Sequence, residues 1–433
     1  MRTFAIVNFG CQMNLYESEK FREVFYDFGM KEVNDIREAD IVLFNSCAVR
    51  EKSEQKLLSA VGFTRSLFEK YGRPYVVVTG CVASIREKEI RGVAKGSLLM
   101  LSKGYEVIYD RVLKLREELV KFLKPVEVSQ SVKRGAFAYV PVIFGCDSFC
   151  TYCVVPLTKG RERSRKLEEI LKEVEMLVQN GVKEIVLLGQ NITHYGYDLG
   201  NPDGFIELLE SVGKVKGLER LRYLTPHPAY FNAPLILRMK NIETLMPHFH
   251  LPVQSGSNKI LQLMRRGYTR EEYLKIVGLI KETFPDASIT TDIIVGFPEE
   301  EEDDFLETVS LVRAVEFDKS FIAAYSRRPN TSASYMKGQV EERVKKERLN
   351  ELLKIQNEIS LRKNRAYIGS LSEVLVESIK GPLAYGRSPQ DKLVIFETKE
   401  EVNVGDILPV LIVDADFMHL TGMYPSLSTS IKK

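Results

Sequence analysis

Short, almost continuous apolar runs, each followed by a stretch of helical character, constrain the fold of this chain more than any other feature. The first three are Phe4-Ala5-Ile6-Val7-Asn8-Phe9-Gly10, Ile41-Val42-Leu43-Phe44-Asn45-Ser46 and Tyr75-Val76-Val77-Val78-Thr79-Gly80, with helices expected between them at Leu15 to Phe28 and Ser53 to Lys70. A strand that is apolar at nearly every position is buried on both faces, as in a parallel sheet covered by helices. A strand at Tyr105 to Tyr109 and a helix at Arg111 to Leu123 are expected to complete an open α/β domain over residues 1–125. Lys124-Pro125 breaks that helix, and the polar stretch from Ser129 to Gly135 reads as a linker.

The β-then-α rhythm restarts at Ala136. Strands are expected at Tyr139 to Phe144, Glu184 to Leu188, Arg220 to Leu224, Phe249 to Val253, Ile289 to Val295 and Phe321 to Tyr325. Six repeats predict a partial (β/α)6 barrel over residues 136–366 instead of the closed eight-fold form. A long charged helix, about Glu341 to Ala366, leads into a different pattern. Over residues 367–433 only strands are expected, at Glu373 to Glu377, Lys392 to Phe396 and Ile407 to Val413, with turns at Lys380-Gly381-Pro382 and Val404-Gly405-Asp406. A small β-barrel of this kind suits oligonucleotide binding or a capping or oligomerisation role, and the pattern leaves both open.

A length of 433 residues fits about three domains. A hydrophobic content of 44% with 28% charged residues is that of a globular protein. No apolar run approaches the roughly twenty residues of a membrane-spanning helix, so no membrane partner is expected. Met1-Arg2-Thr3-Phe4 passes straight into a strand without a signal-peptide pattern, which predicts a cytoplasmic protein. Thiols stay reduced there, and clustered cysteines read as metal ligands before disulfides. The formal net charge of +2 neither demands nor excludes nucleic acid.

The six cysteines fall into two sets of three. Cys146, Cys150 and Cys153 form a C-x3-C-x2-C loop directly after the apolar stretch Val140 to Phe144. Three thiolates on one turn can hold three corners of a four-iron cluster and leave the fourth iron open, whereas a structural zinc site closes its shell with four ligands. An open iron can bind a small molecule through an amine and a carboxylate and pass it an electron. Cys11, Cys47 and Cys81 each follow one of the first three strands. Loops leaving parallel strands converge at one sheet edge, so these three can meet in space.

In a barrel of this class, ligand groups come from the loops at the carboxyl ends of the strands. Those loops contain Leu188-Gly189-Gln190-Asn191, Leu251-Pro252-Val253-Gln254-Ser255-Gly256-Ser257 and Asp292-Ile293-Ile294-Val295-Gly296-Phe297-Pro298. Gln190, Asn191, Gln254, Ser255 and Asp292 are suited to hydrogen-bonding a methionyl group and a ribose, and Tyr152 in the cysteine loop is grouped with them. Beyond the loop, Pro156 to Lys166 gathers several cations, which read either as a solvated face or as phosphate contacts that position an RNA.

Taken together, these residues resemble the methylthiotransferases, radical S-adenosylmethionine enzymes with two iron–sulfur clusters, over essentially the whole chain. The matching segments are Gly10-Cys11-Gln12-Met13-Asn14, Asn45-Ser46-Cys47-Ala48-Val49-Arg50, Gly80-Cys81, Gly145 to Cys153, Leu188 to Asn191, His250 to Ser257 and Asp292 to Pro298. The resemblance implies an N-terminal α/β domain with an auxiliary four-iron cluster on Cys11, Cys47 and Cys81. It further implies a radical barrel whose cluster on Cys146, Cys150 and Cys153 binds S-adenosylmethionine, and a C-terminal β domain of the TRAM type.

The activity so implied starts with reductive cleavage of S-adenosylmethionine to a 5′-deoxyadenosyl radical, which abstracts hydrogen from C2 of an adenine. Sulfur held by the auxiliary cluster then joins C2, and a second S-adenosylmethionine supplies the methyl group. The Cys-Gln-Met-Asn start, the Gly-Gln-Asn strand end and Leu-Pro-Val-Gln-Ser-Gly-Ser are those of members acting on N6-isopentenyl-type adenosine beside the tRNA anticodon. Threonylcarbamoyl-adenosine in tRNA ranks second as substrate and a ribosomal-protein aspartate third. The implied partners are a tRNA anticodon stem-loop, a reductant protein and a sulfur donor. An iron–sulfur carrier or redox sensor with an RNA-binding tail is the non-catalytic alternative. Lys159 stands where the family pattern has arginine, and Glu299 and Asn330 stand where glycine is usual, which predicts altered loops there.

Overall fold

The computed structural model describes residues 2–48, 51–94, 98–102, 108–125, 135–398 and 402–424. The first sheet is parallel and is built from β1 (Thr3–Phe9), β2 (Lys31–Glu32), β3 (Ile41–Ser46), β4 (Tyr75–Gly80) and β5 (Leu98–Leu101), in the order β2-β1-β3-β4-β5. β3 is buried at every position and β4 at all but Tyr75, as expected for central strands covered on both sides. One face packs on the helices Gln12–Asp27 and Ile108–Val120 through Phe4, Leu43 and Val77. The other packs on Glu51–Tyr71 and Glu87–Ala94 through Ala5, Val42 and Val78.

Strand order reverses between β1 and β3, and such a switch point opens a crevice at the carboxyl ends of the strands. Phe9 pairs with Ser46 and Ser46 with Gly80, so the three strands end level with one another. Cys11, Cys47 and Cys81 therefore leave the sheet side by side.

The expected strand at Tyr105 to Tyr109 is corrected. Among the described residues the last strand of this sheet is β5, Ile108 and Tyr109 already belong to a helix, and residues 105–107 lie outside the described residues. β5 reads Leu98-Leu99-Met100-Leu101, a run too short and too helix-compatible to stand out as a strand. Of the expected linker, residues 129–134 also lie outside the described residues.

The central arc holds β6 (Phe137–Pro141), followed by a small antiparallel pair of β7 (Ile143–Phe144) and β8 (Arg163–Ser164) that frames the cysteine loop. It continues with β9 (Glu184–Leu188), β10 (Arg220–Tyr223), β11 (His248–His250), β12 (Ser288–Val295) and β13 (Lys319–Ala324). β6-β9-β10 and β11-β12-β13 form two parallel sheets joined by a bridge between Leu221 and Leu245, an arc of six strands. The expected run Tyr139 to Phe144 is split at Val142, after Pro141 has removed a ladder donor, and Pro252 keeps β11 short. Phe144, Val186 and Leu188 of the arc share one apolar cluster with Phe4, Met13 and Phe25, which docks the first sheet and its helices onto the arc.

The helix Glu342–Arg365 leads to a closed barrel of β14 (Leu371–Lys380), β15 (Leu383–Arg387), β16 (Leu393–Glu397), β17 (Ile407–Ala415) and β18 (Leu420–Met423), ordered β14-β15-β16-β18-β17. Two of its strands, β15 and β18, were not expected. Leu-Ala-Tyr-Gly-Arg and Leu-Thr-Gly-Met are short and carry a glycine, which weakens a strand signal. Gly386 is required because a Cβ there would sit 2.3 Å from the Leu375 carbonyl oxygen.

Two arginines projecting from β10 fasten this barrel to the arc. Arg220 donates to the Arg387 and Glu373 carbonyls, both at 2.8 Å, and Arg222 donates to Pro389 O at 2.9 Å and Ser388 O at 2.8 Å. Asp318 accepts from Lys392 at 2.8 Å and Lys363 at 2.5 Å, adding a buried ionic tie. Among the described residues no helix is long and apolar enough to cross a membrane.

Candidate active site

The Cys146–Cys153 loop lies between β7 and the helix Val155–Lys159 and is held from several sides. Cys146 N–H donates to Gly160 O at 3.2 Å, Thr151 N–H to Met264 O at 3.2 Å, and Ala333 N–H to Thr151 O at 2.8 Å. Gly145 has φ 76°, and a Cβ there would meet Arg161 O at 2.0 Å, so only glycine lets the loop close on itself. The three thiols are half-buried. Burial raises the Cys146 thiol and pushes Cys153 up to about 12, so as free thiols these two stay protonated. Their full ligand strength needs a metal charge to release the proton.

Arg266, 5% exposed, donates to Cys150 Sγ at 3.3 Å, to the Tyr152 hydroxyl at 3.4 Å and to Pro252 O at 2.9 Å. It ties the cysteine loop to the Pro252–Gln254 turn and sets a fixed positive charge beside the thiols. His227 stands nearby, its Nδ1 accepting from Ala229 N–H at 3.3 Å while its buried Nε2 has no hydrogen-bond partner in the protein. Burial first, then Arg266 and His194, push it down to about 2, so His227 is a neutral donor and not a proton shuttle.

The expected cofactor contacts separate into two groups. Tyr152 is half-buried with its ring edge-on to Phe297, and Asp292 keeps a 40% exposed side chain 3.3 Å from His250 Nε2. Gln190 is half-buried and its Oε1 has no hydrogen-bond partner in the protein. Gln254 adopts φ 73° and its backbone bridges β12, donating to Asp292 O at 2.8 Å and accepting from Ile294 N–H at 2.9 Å.

Asn191 and Ser255 also make hydrogen bonds within the protein. Asn191 donates to Ser148 Oγ at 3.4 Å and accepts from Thr193 Oγ1 at 2.7 Å, bracing the cysteine loop. Ser255 is 1% exposed, with its hydroxyl 3.3 Å from Thr308 Oγ1 and accepting from Ser257 N–H at 3.2 Å. It shapes the turn. Phe149, Thr225, Gln254 and Arg265 all have left-handed φ around this mouth, the kind of backbone strain that concentrates at functional sites.

The reading of Pro156 to Lys166 as phosphate contacts is corrected for two of its cations. Lys159 is 4% exposed and donates to Glu17 at 2.6 Å, and Arg165 is taken up by Glu173 at 2.7 Å and Pro141 O at 2.8 Å. Arg161, Arg163 and Lys166 remain exposed. Glu162 turns inward, pairing with His194 Nδ1 and accepting from Asp147 N–H at 3.0 Å.

The Cys11, Cys47 and Cys81 set lies against this site, because the helix Cys81–Ile85 packs on the helix Val155–Lys159. Gly80 has φ 90°, and a Cβ there would meet Ser46 O at 2.3 Å, so glycine lets β4 deliver Cys81 beside β3. The adjacent Cys47 thiol draws Cys11 down to about 6 against the burial that raises it, with Asn14 and Lys159 adding to the pull. Among the described residues no three His, Cys, Asp or Glu side chains converge on a single ion. Ligands of a cubane each bind a different iron and so need not converge on one ion, and each triad supplies three thiols, the donor type such a cluster takes. Of the N-terminal motif, Val49 and Arg50 lie outside the described residues.

Residues 140–312 match the Radical SAM superfamily, and residues 3–101 match Uncharacterized protein family UPF0004. A tRNA-2-methylthio-N(6)-dimethylallyladenosine synthase from Moorella thermoacetica is 42% identical over 91% of this chain and 92% of its own length. Another from Pelotomaculum thermopropionicum is 39% identical over 98% of both chains. The chain belongs to the tRNA-2-methylthio-N(6)-dimethylallyladenosine synthase family. A radical S-adenosylmethionine methyltransferase from Kitasatospora setae, solved with cobalamin and a four-iron cluster, shares the fold at a TM-score of 0.55 and 13% identity, over 77% of each chain.

Within this synthase family fold, the chain uses several residues that pattern reading missed. Arg266, Glu162 and Glu17 are buried polar groups with partners distant in sequence and His227 is buried with its Nε2 unpartnered, and no local spacing marks any of them. The one available signal was Arg265-Arg266-Gly267, two cations and a glycine just past the Gln254 turn.

Proposed function

We propose that this radical S-adenosylmethionine enzyme converts N6-dimethylallyl-type (isopentenyl) adenosine in tRNA to its 2-methylthio derivative, with two four-iron clusters dividing the work. Cys146, Cys150 and Cys153 are the ligands of the first cluster and Cys11, Cys47 and Cys81 of the second. When bound, the first cluster supplies the electron that cleaves S-adenosylmethionine and the second supplies the sulfur. The observation that supports this reading is the packing of the helix opening on Cys81 against the helix that follows Cys153, which sets segments of the two triads side by side.

The protein's own contribution is placement, charge and exclusion of water. Arg266 offsets the negative charge gathered at Cys150 and braces Tyr152. Gln190, Gln254 and Asp292 line the carboxyl ends of the arc strands, where a methionyl group and a ribose need donors and acceptors. The His227 Nε2–H offers a fixed neutral donor in the same mouth. Substrate reach requires an unstacked base, as in a single-stranded anticodon loop. The division into residues 1–125, 136–366 and 367–433 assigns sulfur supply, radical generation and RNA contact to successive units, in a cytoplasmic enzyme served by a reductant protein and a sulfur donor.

The test is nucleoside mass spectrometry after incubating anaerobically reconstituted enzyme, S-adenosylmethionine and reductant with tRNA bearing isopentenyl-adenosine. The expected product is its 2-methylthio form together with 5′-deoxyadenosine. Preferential turnover of threonylcarbamoyl-adenosine tRNA would overturn the substrate, and absence of 5′-deoxyadenosine would overturn the reaction class.

A further inference from the structure

Buried polar contacts join the helix that follows Cys153 to the helix that Cys11 caps. Lys159 closes the helix that begins just after Cys153, is 4% exposed, and donates its Nζ to Glu17 Oε1 at 2.6 Å. Glu17 is 1% exposed on the helix that Cys11 caps, and its other oxygen accepts from Arg111 Nη1 at 3.2 Å. One turn earlier on the same helix, Asn14 meets Asn45, which stands two residues before Cys47 and also donates to Ser18 Oγ at 3.2 Å. Asn45 in turn accepts from Asn14 Nδ2 at 2.6 Å and donates to Asn14 O at 2.9 Å. Asn14 Oδ1 accepts from both the N–H and the Sγ of Cys11, at 3.1 and 3.3 Å.

Stability alone is a poor reason for this arrangement. Removing ions from water costs several kcal/mol each, and an apolar contact of similar volume serves adhesion as well or better. The apolar cluster of Phe144, Val186 and Leu188 with Phe4 and Met13 already provides that adhesion. A second buried tie, Arg328 to Glu54 at 2.7 Å with Arg86 on the other Glu54 oxygen at 3.1 Å, holds the opposite flank. What the Lys159 contact adds is register, since a buried ion pair tolerates only one alignment of the helices that carry it.

We propose that Lys159 is a positioning residue that acts through Glu17 and the helix that Cys11 caps to hold the Cys11 triad at the separation from the Cys146 triad that sulfur insertion requires. Radical formation needs only the central triad, whereas product needs both triads in one alignment. An error of about 1 Å can lower such a step about 100-fold. Breaking the contact therefore uncouples the two outcomes. The proposal rests on the two-cluster reading above.

The test compares reconstituted wild type, Lys159→Met, Lys159→Arg and Glu17→Gln. It measures 5′-deoxyadenosine and methylthio nucleoside per enzyme, iron content, and inter-cluster dipolar coupling by pulsed electron paramagnetic resonance. Lys159→Met is expected to keep its iron and make 5′-deoxyadenosine within about twofold of wild type, with methylthio product down at least about tenfold. Its inter-cluster distance distribution should broaden. Glu17→Gln should behave alike, and Lys159→Arg should restore most of the coupling, because it returns a cation to Glu17.

An unchanged product ratio and distance distribution in Lys159→Met would overturn the proposal. So would a parallel fall of both products with loss of iron, which marks a merely structural residue, or failure of Lys159→Arg to restore coupling. A wild type that makes 5′-deoxyadenosine but no methylthio nucleoside would instead overturn the function proposed above, independently of Lys159.

Discussion

Arg222→Met is expected to loosen the C-terminal barrel without touching a cysteine. Arg222 is 5% exposed, holds the carbonyls of Ser388 and Pro389, and has its Nε 3.0 Å from Glu184 Oε1. Glu184 is 3% exposed, and its Oε2 has no hydrogen-bond partner, so removing the guanidinium strands a buried carboxylate. Breaking a buried pair from one side costs about 3–5 kcal/mol, and the charge of neighbouring Arg220 places this case at about 3. That is roughly a hundredfold more frequent opening where the barrel docks. Hydrogen exchange followed by mass spectrometry over residues 383–397 reads it directly, and tRNA affinity should fall while S-adenosylmethionine cleavage persists. Glu184→Gln combined with Arg222→Met removes the stranded charge and should recover much of the loss. Exchange within about threefold of wild type in the single variant, or a double variant as loose as the single, would refute the reasoning.

Alanine at Cys11, Cys47 and Cys81 should halve an iron content of about eight per chain and leave 5′-deoxyadenosine formation intact without methylthio product. Alanine at Cys146, Cys150 and Cys153 should abolish both products, and mass spectrometry with iron assay separates the cases. Glu299 has φ 67°, a conformation costing a side-chain-bearing residue about 1–2 kcal/mol, so Glu299→Gly should raise the melting temperature after about 0.5–1 kcal/mol is lost to backbone entropy. Asn330→Gly, at φ 66°, should gain less because asparagine tolerates this region, and equal gains would contradict the strain argument. Burial pushes His248 down to about 4, opposed by Asp391 and aided by Arg222 and His250, with Thr290 Oγ1 3.0 Å from its Nε2. A folded value below the unfolded one of about 6.5 means full stability above that pH and loss between about 6.5 and 4, on the order of 2–3 kcal/mol. His248→Gln should flatten urea-denaturation midpoints across that window.

The parts of the fold that were legible in sequence share one physical cause. A strand covered on both faces must be apolar at nearly every position, so β1, β3, β4 and β9 advertise themselves locally. β10 reads Arg-Leu-Arg-Tyr because its arginines meet another barrel, and it was still recognisable from the rhythm around it. β15 and β18 were not, since a small closed barrel uses glycine where strands crowd. Glu299 and Asn330 both hold a left-handed backbone, at φ 67° and 66°, the conformation that glycine adopts without a side-chain penalty.

Site chemistry divides along the same line between local and distant information. The C-x3-C-x2-C loop is a local pattern whose spacing points to cluster ligation, and the three other cysteines are visible locally as strand-end positions, with their shared role implied by the family resemblance. The charged residues around them are not, because a cation's meaning depends on what faces it. Lys159 and Glu17 are 142 positions apart, and in sequence Lys159 stands among exposed cations such as Arg161 and Arg163 that suit phosphate. Only folding turns it inward, onto the helix that Cys11 caps. A basic run beside a catalytic loop can therefore serve substrate binding with some residues and internal alignment with others. In this chain Lys159 and Arg165 are engaged inside the fold while Arg161, Arg163 and Lys166 stay exposed, so neutralising the run as a block would mix two kinds of residue, and the cations must be changed one at a time.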